Sequence, residues 1–248
     1  MTAARWSMVA YWETKAGTDI ADWEDGAAYS RGTGWFAVAD GASAGGLSRE
    51  WAYRLVRDYV SDQNASTLHD GGLGAWVTDV RSRFDPRSEE FPASRSPDWV
   101  QEESVRRGAH ATLLAGRFDQ DGVRVVAVGD TCLVHLRSGM RLASFPLVDP
   151  ADFGTQPDLI ASRAQALLAG VSFYESEIDK DDIILVATDA LAAWLLGLPA
   201  DSAFWPAICA LDHHGFARLC TDLRAAHLVR NDDMTLLRAG PLSPGAAA

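Results

Sequence analysis

The stretch Trp35-Phe36-Ala37-Val38-Ala39-Asp40-Gly41 is a run of apolar residues closed by an aspartate and a glycine. A short, unbroken apolar run reads as a strand buried on both faces. A carboxylate at the end of such a strand stands on rigid backbone yet can still reach solvent. The pattern returns at Ile183-Ile184-Leu185-Val186-Ala187, which leads through Thr188 to Asp189. A third run, Met234-Thr235-Leu236-Leu237, is preceded by Asp232-Asp233. Glu24-Asp25 adds a fourth acidic station. Carboxylates brought together in this way repel one another unless a divalent cation joins them. The sequence therefore predicts a metal centre built from strand ends far apart in the chain.

Around these runs the periodicities mark further elements. Strands are expected over Ser7–Glu13, Gly34–Ala39, Ala111–Phe118, Val123–Val128, Cys132–Leu136, Phe173–Ile178 and Ile183–Ala187, with a last strand from Met234. Helices are expected over Ser48–Val60, where Trp51, Leu55 and Tyr59 share a face, and over Leu73–Phe84, Trp99–Arg107, Ala190–Leu196, Ser202–Leu211 and His214–Leu228. Ser48 is the expected N-cap of the first. Helices fall between groups of strands rather than alternating with them, which favours an α+β fold over a doubly wound sheet. One domain over residues 1–240 is expected, with a disordered tail over 241–248; Gly240 is where the tail begins.

The chain has 248 residues, a 48% apolar share and a formal net charge of −12 from 34 acidic and 22 basic residues. Nucleic acid and anionic membrane surfaces require a positive footprint, so neither is expected as a partner. Cys132, Cys209 and Cys220 form no CxxC and read as isolated buried thiols of a reducing compartment. With no apolar stretch near the length of a membrane span and no signal-peptide segment, a cytoplasmic protein is expected. Ser43 and Ser48 lack the G-x-S-x-G context of a serine hydrolase. His213-His214 read as a helix start, and His110 and His135 as packing residues. Asp130 reads as a turn residue. Carboxylates and carbonyls are hard oxygen ligands, suited to Mg²⁺ or Mn²⁺ rather than zinc or copper.

Val38-Ala39-Asp40-Gly41, followed by Gly45-Gly46 and a helix, resembles the Asp-Gly metal motif of the metal-dependent protein phosphatases of the 2C type. In the same order, Trp23-Glu24-Asp25-Gly26 resembles the family's early acidic motif. Ala111-Thr112-Leu113-Leu114 is similar to its Thr-containing core strand, and Val128-Gly129-Asp130-Thr131 to its Gly-Asp-Ser/Thr turn. Ala187-Thr188-Asp189 and Asn231-Asp232-Asp233-Met234-Thr235 resemble its later aspartate motifs. The resemblance implies two antiparallel sheets packed as a sandwich, flanked by helices on both sides. It implies a hydrolase acting in signalling on phosphoserine and phosphothreonine of proteins, with two Mg²⁺ or Mn²⁺ ions and a metal-bridging water as nucleophile. Two ions about 4 Å apart can activate such a water and clamp the phosphoryl group. Carried over by motif, Asp40 bridges both ions and the Gly41 carbonyl binds one. Asp189 and Asp232 hold the other, and Glu24 reaches a metal directly or through water. Asp40, Asp189 and Asp232 are thus the implied catalytic set, and a phosphorylated protein, with a serine/threonine kinase or its targets, is the implied partner.

Three positions depart from the pattern. Ile20 stands where the family has a phosphate-gripping Arg, Ala190 replaces the Gly after Asp189, and Ala42 to Ala44 lengthen the segment before Gly45-Gly46. Lys15, Arg31 and Arg49 are the candidate substitutes for the missing guanidinium. The loss of that Arg also supports a second reading, a pseudophosphatase or phospho-partner-binding module without turnover.

Overall fold

A computed structural model describes residues 6–42, 47–61, 71–84, 108–119, 122–154, 156–163 and 168–241. Its strands in chain order are β1 (Trp6–Glu13), β2 (Gly26–Ser30), β3 (Trp35–Ala39), β4 (His110–Ala111), β5 (Leu113–Phe118), β6 (Gly122–Val128), β7 (Cys132–Arg137), β8 (Met140–Phe145), β9 (Ile160–Ala161), β10 (Ser172–Glu177), β11 (Asp182–Ala187) and β12 (Met234–Pro241). The helices are α1 (Ser48–Ser61), α2 (Leu73–Arg83), α3 (Asp189–Gly197), α4 (Phe204–Cys209) and α5 (His213–Ala225).

Two five-stranded antiparallel sheets form, one in the order β1-β12-β11-β7-β8 and the other β10-β6-β5-β3-β2. Their inner faces meet through Met8, Phe36, Val38, Leu114, Val125, Leu133, Ile184, Val186 and Leu237. Because side chains alternate along a strand, the intervening residues face outward, where helices cover them. Trp51, Leu55 and Tyr59 of α1 and Val77 and Val80 of α2 pack on Ala37, Ala39, Ala115 and Val126. Leu191, Trp205, Phe216 and Leu223 pack on Val134, Leu136, Leu185 and Leu236. The α+β sandwich flanked by helices on both sides is therefore present. Continuous apolar runs are the consequence of strands buried on both faces. Small residues let α1 approach closely: a Cβ on Gly26 would lie 3.0 Å from the Ala52 backbone.

Some boundaries differ from those the sequence predicts. Strands β2 and β8, two of the four sheet edges, lack a strong apolar run and are not expected from the sequence. The expected single strand from Ala111 to Phe118 breaks at Thr112, whose amide turns to donate to the Asp40 carbonyl at 2.9 Å. Ser48 lies inside α1 rather than capping it, and its hydroxyl donates to the Ala42 carbonyl. β12 continues through Gly240 and Pro241, which pair with Ser7 and Trp6. The expected helix over Trp99–Arg107, the Gly45-Gly46 segment, Ser43, and the tail beyond Pro241 lie outside the described residues. His213 begins α5, capped by the Asp212 carboxylate, which accepts from the Gly215 amide at 2.7 Å.

Register places the starts of β2, β7 and β12 and the ends of β3, β6 and β11 at one end of the sandwich. At the opposite end, β11 begins with a buried carboxylate, Asp182. It receives the Arg137 guanidinium through two bonds of 2.8 and 2.9 Å and the Asp179 amide at 2.8 Å. His135, fully buried, contacts Asp182 through Nε2 at 3.0 Å and the Tyr174 hydroxyl through Nδ1 at 2.9 Å. An ionised carboxylate only accepts, so Nε2 carries the proton and Nδ1 accepts from Tyr174. Burial pushes the His135 pKa down, consistent with a neutral ring. Both ring nitrogens are satisfied, as expected of a packing residue.

Candidate metal centre

Asp40 follows β3 directly, and two bonds fix its backbone to the neighbouring strand. Its amide donates to Thr112 Oγ1 at 3.0 Å, and its carbonyl accepts from the Thr112 amide. Thr112 Oγ1 is in turn 2.6 Å from Thr131 Oγ1, both hydroxyls being buried. The threonines of the Ala-Thr-Leu-Leu and Gly-Asp-Thr stretches thus form one pair behind Asp40. A second pair stands behind Asp25. Thr188 Oγ1 and Thr235 Oγ1 both donate to Asp25 Oδ2, at 3.0 and 2.7 Å, while Thr188 Oγ1 accepts from the Thr235 amide at 3.0 Å.

Gly41 is required by packing. A Cβ there would lie 2.5 Å from the Glu24 carbonyl oxygen and 2.9 Å from the Ser48 carbonyl carbon. The absent side chain lets the Glu24-Asp25 segment and the start of α1 close on the end of β3. Asp233 completes the clamp from another direction: its carboxylate accepts from the Lys15 and Glu24 amides, each at 2.8 Å. The Asn231 amide side chain reaches Ala16, accepting from its N–H at 2.8 Å and donating to its carbonyl at 3.2 Å. The segment before β12 is therefore fastened to the segment after β1, beside the ends of β3 and β11.

This fastening gathers carboxylates. Burial, then the charges of Asp25, Asp189, Asp130 and Asp232, hold the Asp40 carboxyl well above the usual carboxylate range. Asp25, 2% exposed, is raised by burial and by Asp233 and Asp189, against the pull of its two threonine bonds. Burial and Asp189 push Asp130 up to about 6. Asp189 is raised by burial and Asp232 and relieved in part by Arg230, which donates to its Oδ2. Desolvation and like charge both disfavour the ionised forms, and a divalent cation would reverse that balance. The donor set is all oxygen, which fits Mg²⁺ or Mn²⁺. Among the described residues, no three carboxylate, histidine or thiol groups converge closely enough to enclose an ion as they stand.

Of the residues singled out from sequence, Asp40, Asp189 and Asp232 are brought within charge–charge reach of one another. Gly41 lies beside them, bridging to Ala111. Glu24 carries an ion pair with Lys15 at 3.2 Å, while its neighbour Asp25 is the one turned among the aspartates. Asp130, read as a turn residue, is buried among them as well. The signal for Asp25 was its place immediately before a strand, as with Asp233 before β12. Asp130 gave none beyond the Gly129-Asp130-Thr131 phrase. Ile20 sits 53% exposed on a 3-10 turn over Ile20–Asp22. Arg49 donates to the Ala21 carbonyl at 2.6 Å on that turn, and Arg31 to the Met8 carbonyl at 2.8 and 3.0 Å.

No family model matches the chain, and no curated protein sequence matches it either. Solved structures do. The Mycobacterium tuberculosis serine/threonine phosphatase PstP/Ppp superimposes with a TM-score of 0.62 at 15% identity, over 95% of this chain and 98% of that one. PppA, a regulatory component of T6SS in Pseudomonas aeruginosa, does so with a TM-score of 0.58 at 19% identity, over 96% and 98%. The catalytic domain of PstP in complex with two manganese ions gives a TM-score of 0.53 at 16% identity, over 96% and 99%. Across nearly its whole length, the chain has the fold of the PPM-type serine/threonine phosphatases, the protein phosphatase 2C-like sandwich.

Proposed function

We propose that this chain is a metal-dependent protein serine/threonine phosphatase. The observation that carries the reading is the convergence of Asp25, Asp40, Asp130, Asp189 and Asp232, from separate elements, at one end of a sandwich of the phosphatase fold. Asp40, Asp189 and Asp232, with the Gly41 carbonyl, would hold Mg²⁺ or Mn²⁺, two ions being the number in the similar PstP structure. Glu24, one of whose oxygens is paired with Lys15, would reach a metal directly or through water, and Asp25 joins the set from the same segment. Bound there, such ions supply Lewis acidity and an acidified water for phosphoester hydrolysis.

The chain's own residues set the geometry. Thr112 and Thr131 hold the Asp40 backbone in one position, and Thr188 and Thr235 fix which way the Asp25 carboxylate turns. Ligand carboxylates oriented by outer hydrogen bonds need little reorganisation on binding. The substrate class would be phosphoserine and phosphothreonine in proteins, and the biological setting signalling opposite a serine/threonine kinase, in the cytoplasm. Among the described residues no helix is long and apolar enough to cross a membrane.

The pseudophosphatase reading keeps one supporting observation, the exposed apolar Ile20 where a guanidinium would grip phosphate. Turnover of p-nitrophenyl phosphate with Mn²⁺ separates the two, and a phosphothreonine peptide against small phosphoesters then tests the substrate class. Mn²⁺-dependent hydrolysis that favours the peptide is expected. Absence of turnover with either Mn²⁺ or Mg²⁺ would leave the binding module.

A further inference from the structure

A substrate phosphoryl group is an anion, and the proposed metal centre it must approach is built of aspartates in a protein of net charge −12. Some cation has to receive it. Ile20 offers none. Arg31 is turned to the Met8 carbonyl and Arg49 to the Ala21 carbonyl. Lys15 is ion-paired with Glu24, and its side chain is 26% exposed. Arg230 differs from all of these. Its side chain is 58% exposed, its guanidinium donates to Asp189 Oδ2, and it stands two residues before Asp232.

The backbone that carries Arg230 is held while its side chain is not enclosed. Asn231 is bonded to Ala16 in both directions, the Asp232 carbonyl accepts from Arg224 Nη2 at 2.8 Å, and Asp233 clamps the Lys15 and Glu24 amides. A long, solvent-facing guanidinium on an anchored base can exchange partners without moving the fold. Its planar donor pairs match a phosphoryl group as well as a carboxylate. A divalent ion on Asp189 carries twice the charge of the guanidinium and would take the carboxylate from it.

We propose that Arg230 is the exchangeable cation of this site: it neutralises Asp189 in the metal-free protein and receives the substrate phosphoryl group once a divalent ion holds Asp189. The proposal rests on the metal-centre reading and supplies the phosphate contact that Ile20 cannot make. It requires two effects of opposite sign from one substitution. Without Arg230 the metal loses a competitor, so it should bind more tightly. Phosphate loses a contact, so it should bind more weakly.

The test is calorimetric, on the full chain as wild type, Arg230→Ala and Arg230→Lys, with melting temperatures to confirm folding. Mg²⁺ is titrated into metal-free protein, then inorganic phosphate into Mg²⁺-saturated protein. For Arg230→Ala, Mg²⁺ affinity should rise several-fold while phosphate affinity falls about tenfold, the loss of one charge-assisted hydrogen bond. Arg230→Lys should recover part of the phosphate affinity. Tighter Mg²⁺ with unchanged phosphate affinity would make Arg230 a counter-ion only and overturn the proposal, as would no change in either. A wild type that binds Mg²⁺ while the variants behave like it removes this proposal and leaves the metal centre standing. A wild type that binds no Mg²⁺ removes both.

Discussion

Strand β11 has an aspartate at each end, Asp182 buried and Asp189 half-buried, and the two live in opposite electrostatic worlds. At its start, Asp182 is enclosed, but the Arg137 guanidinium, the Asp179 amide and His135 outweigh the desolvation and hold its carboxyl below the usual range. Just past its end, Asp189 faces other aspartates. Burial and Asp232 raise its carboxyl, with Arg230 as partial relief. A carboxylate with every oxygen matched to a donor is structural. A group of carboxylates that raise one another is unfinished without a further cation, and such unfinished charge is where function concentrates. The threonine pairs show the same division at finer scale. They bond one oxygen of Asp25 and the backbone of Asp40, not the Asp40 carboxylate.

The sharpest way to break this comparison is to remove each aspartate in turn. Asp182→Ala strips His135 and Arg137 of their partner and should cost about 3 kcal/mol of stability, at the lower end for a broken buried pair because Arg137 can reach water. Urea denaturation measures it, and turnover per folded molecule should stay near wild type. Asp40→Asn should do the reverse. Mn²⁺-dependent turnover should fall at least about 100-fold, the upper range for outer-sphere partners of a metal, while metal-free stability holds or rises. Steady-state hydrolysis of p-nitrophenyl phosphate checks it, and retention of most activity would remove Asp40 from the site.

Metal itself is the next probe. Mn²⁺ at a hundredfold excess over its Kd should stabilise the wild type by about 2.7 kcal/mol, read as a rise in Tm. No shift at millimolar Mn²⁺ would favour the binding-module reading. The remaining probe is pH. The mouth carboxylates bind protons more tightly folded than unfolded, so metal-free stability should fall as pH rises from the ordinary 3.8 through the value of about 6 at Asp130. The expected loss from Asp130 alone is on the order of 2–3 kcal/mol between pH 4 and 7, and the other raised carboxyls add to it. Asp182 contributes with the opposite sign: its stabilisation is present above the ordinary range and lost only as pH falls through its lowered pKa. Saturating Mn²⁺ should flatten the decline at the mouth and leave the acid limb unchanged. Thermal melts across that range with and without Mn²⁺ would show whether the two ends separate.

The central strands were legible because burial on both faces writes a continuous apolar run, as in Trp35 to Ala39 and Ile183 to Ala187. Strands β2 and β8 were not, since Gly26-Ala27-Ala28-Tyr29-Ser30 and Met140-Arg141-Leu142-Ala143-Ser144-Phe145 carry no unbroken apolar run. Asp40, Asp189 and Asp232 could be read because each adjoins a core run. The choice between Glu24 and Asp25 could not, because adjacent residues point to opposite sides and nothing local says which side faces Asp40. Asp130 follows a core strand at a tight turn, where an aspartate is ordinary turn chemistry. What sets it apart is its charge contact with Asp40 and Asp189, which are distant in sequence. Arg230 is legible only in three dimensions: it is nothing in the sequence until the closing of β12 on β11 sets it against Asp189.

The most direct test is a calorimetric titration of Mn²⁺ into three proteins: wild type, Asp189→Asn and Asp182→Asn. If the unfinished end of β11 is the metal centre and the matched end is structural, wild type and Asp182→Asn bind Mn²⁺ alike, and Asp189→Asn binds at least about tenfold more weakly. A wild type that binds no Mn²⁺, or an Asp189→Asn variant that binds it as well as wild type, would contradict the account.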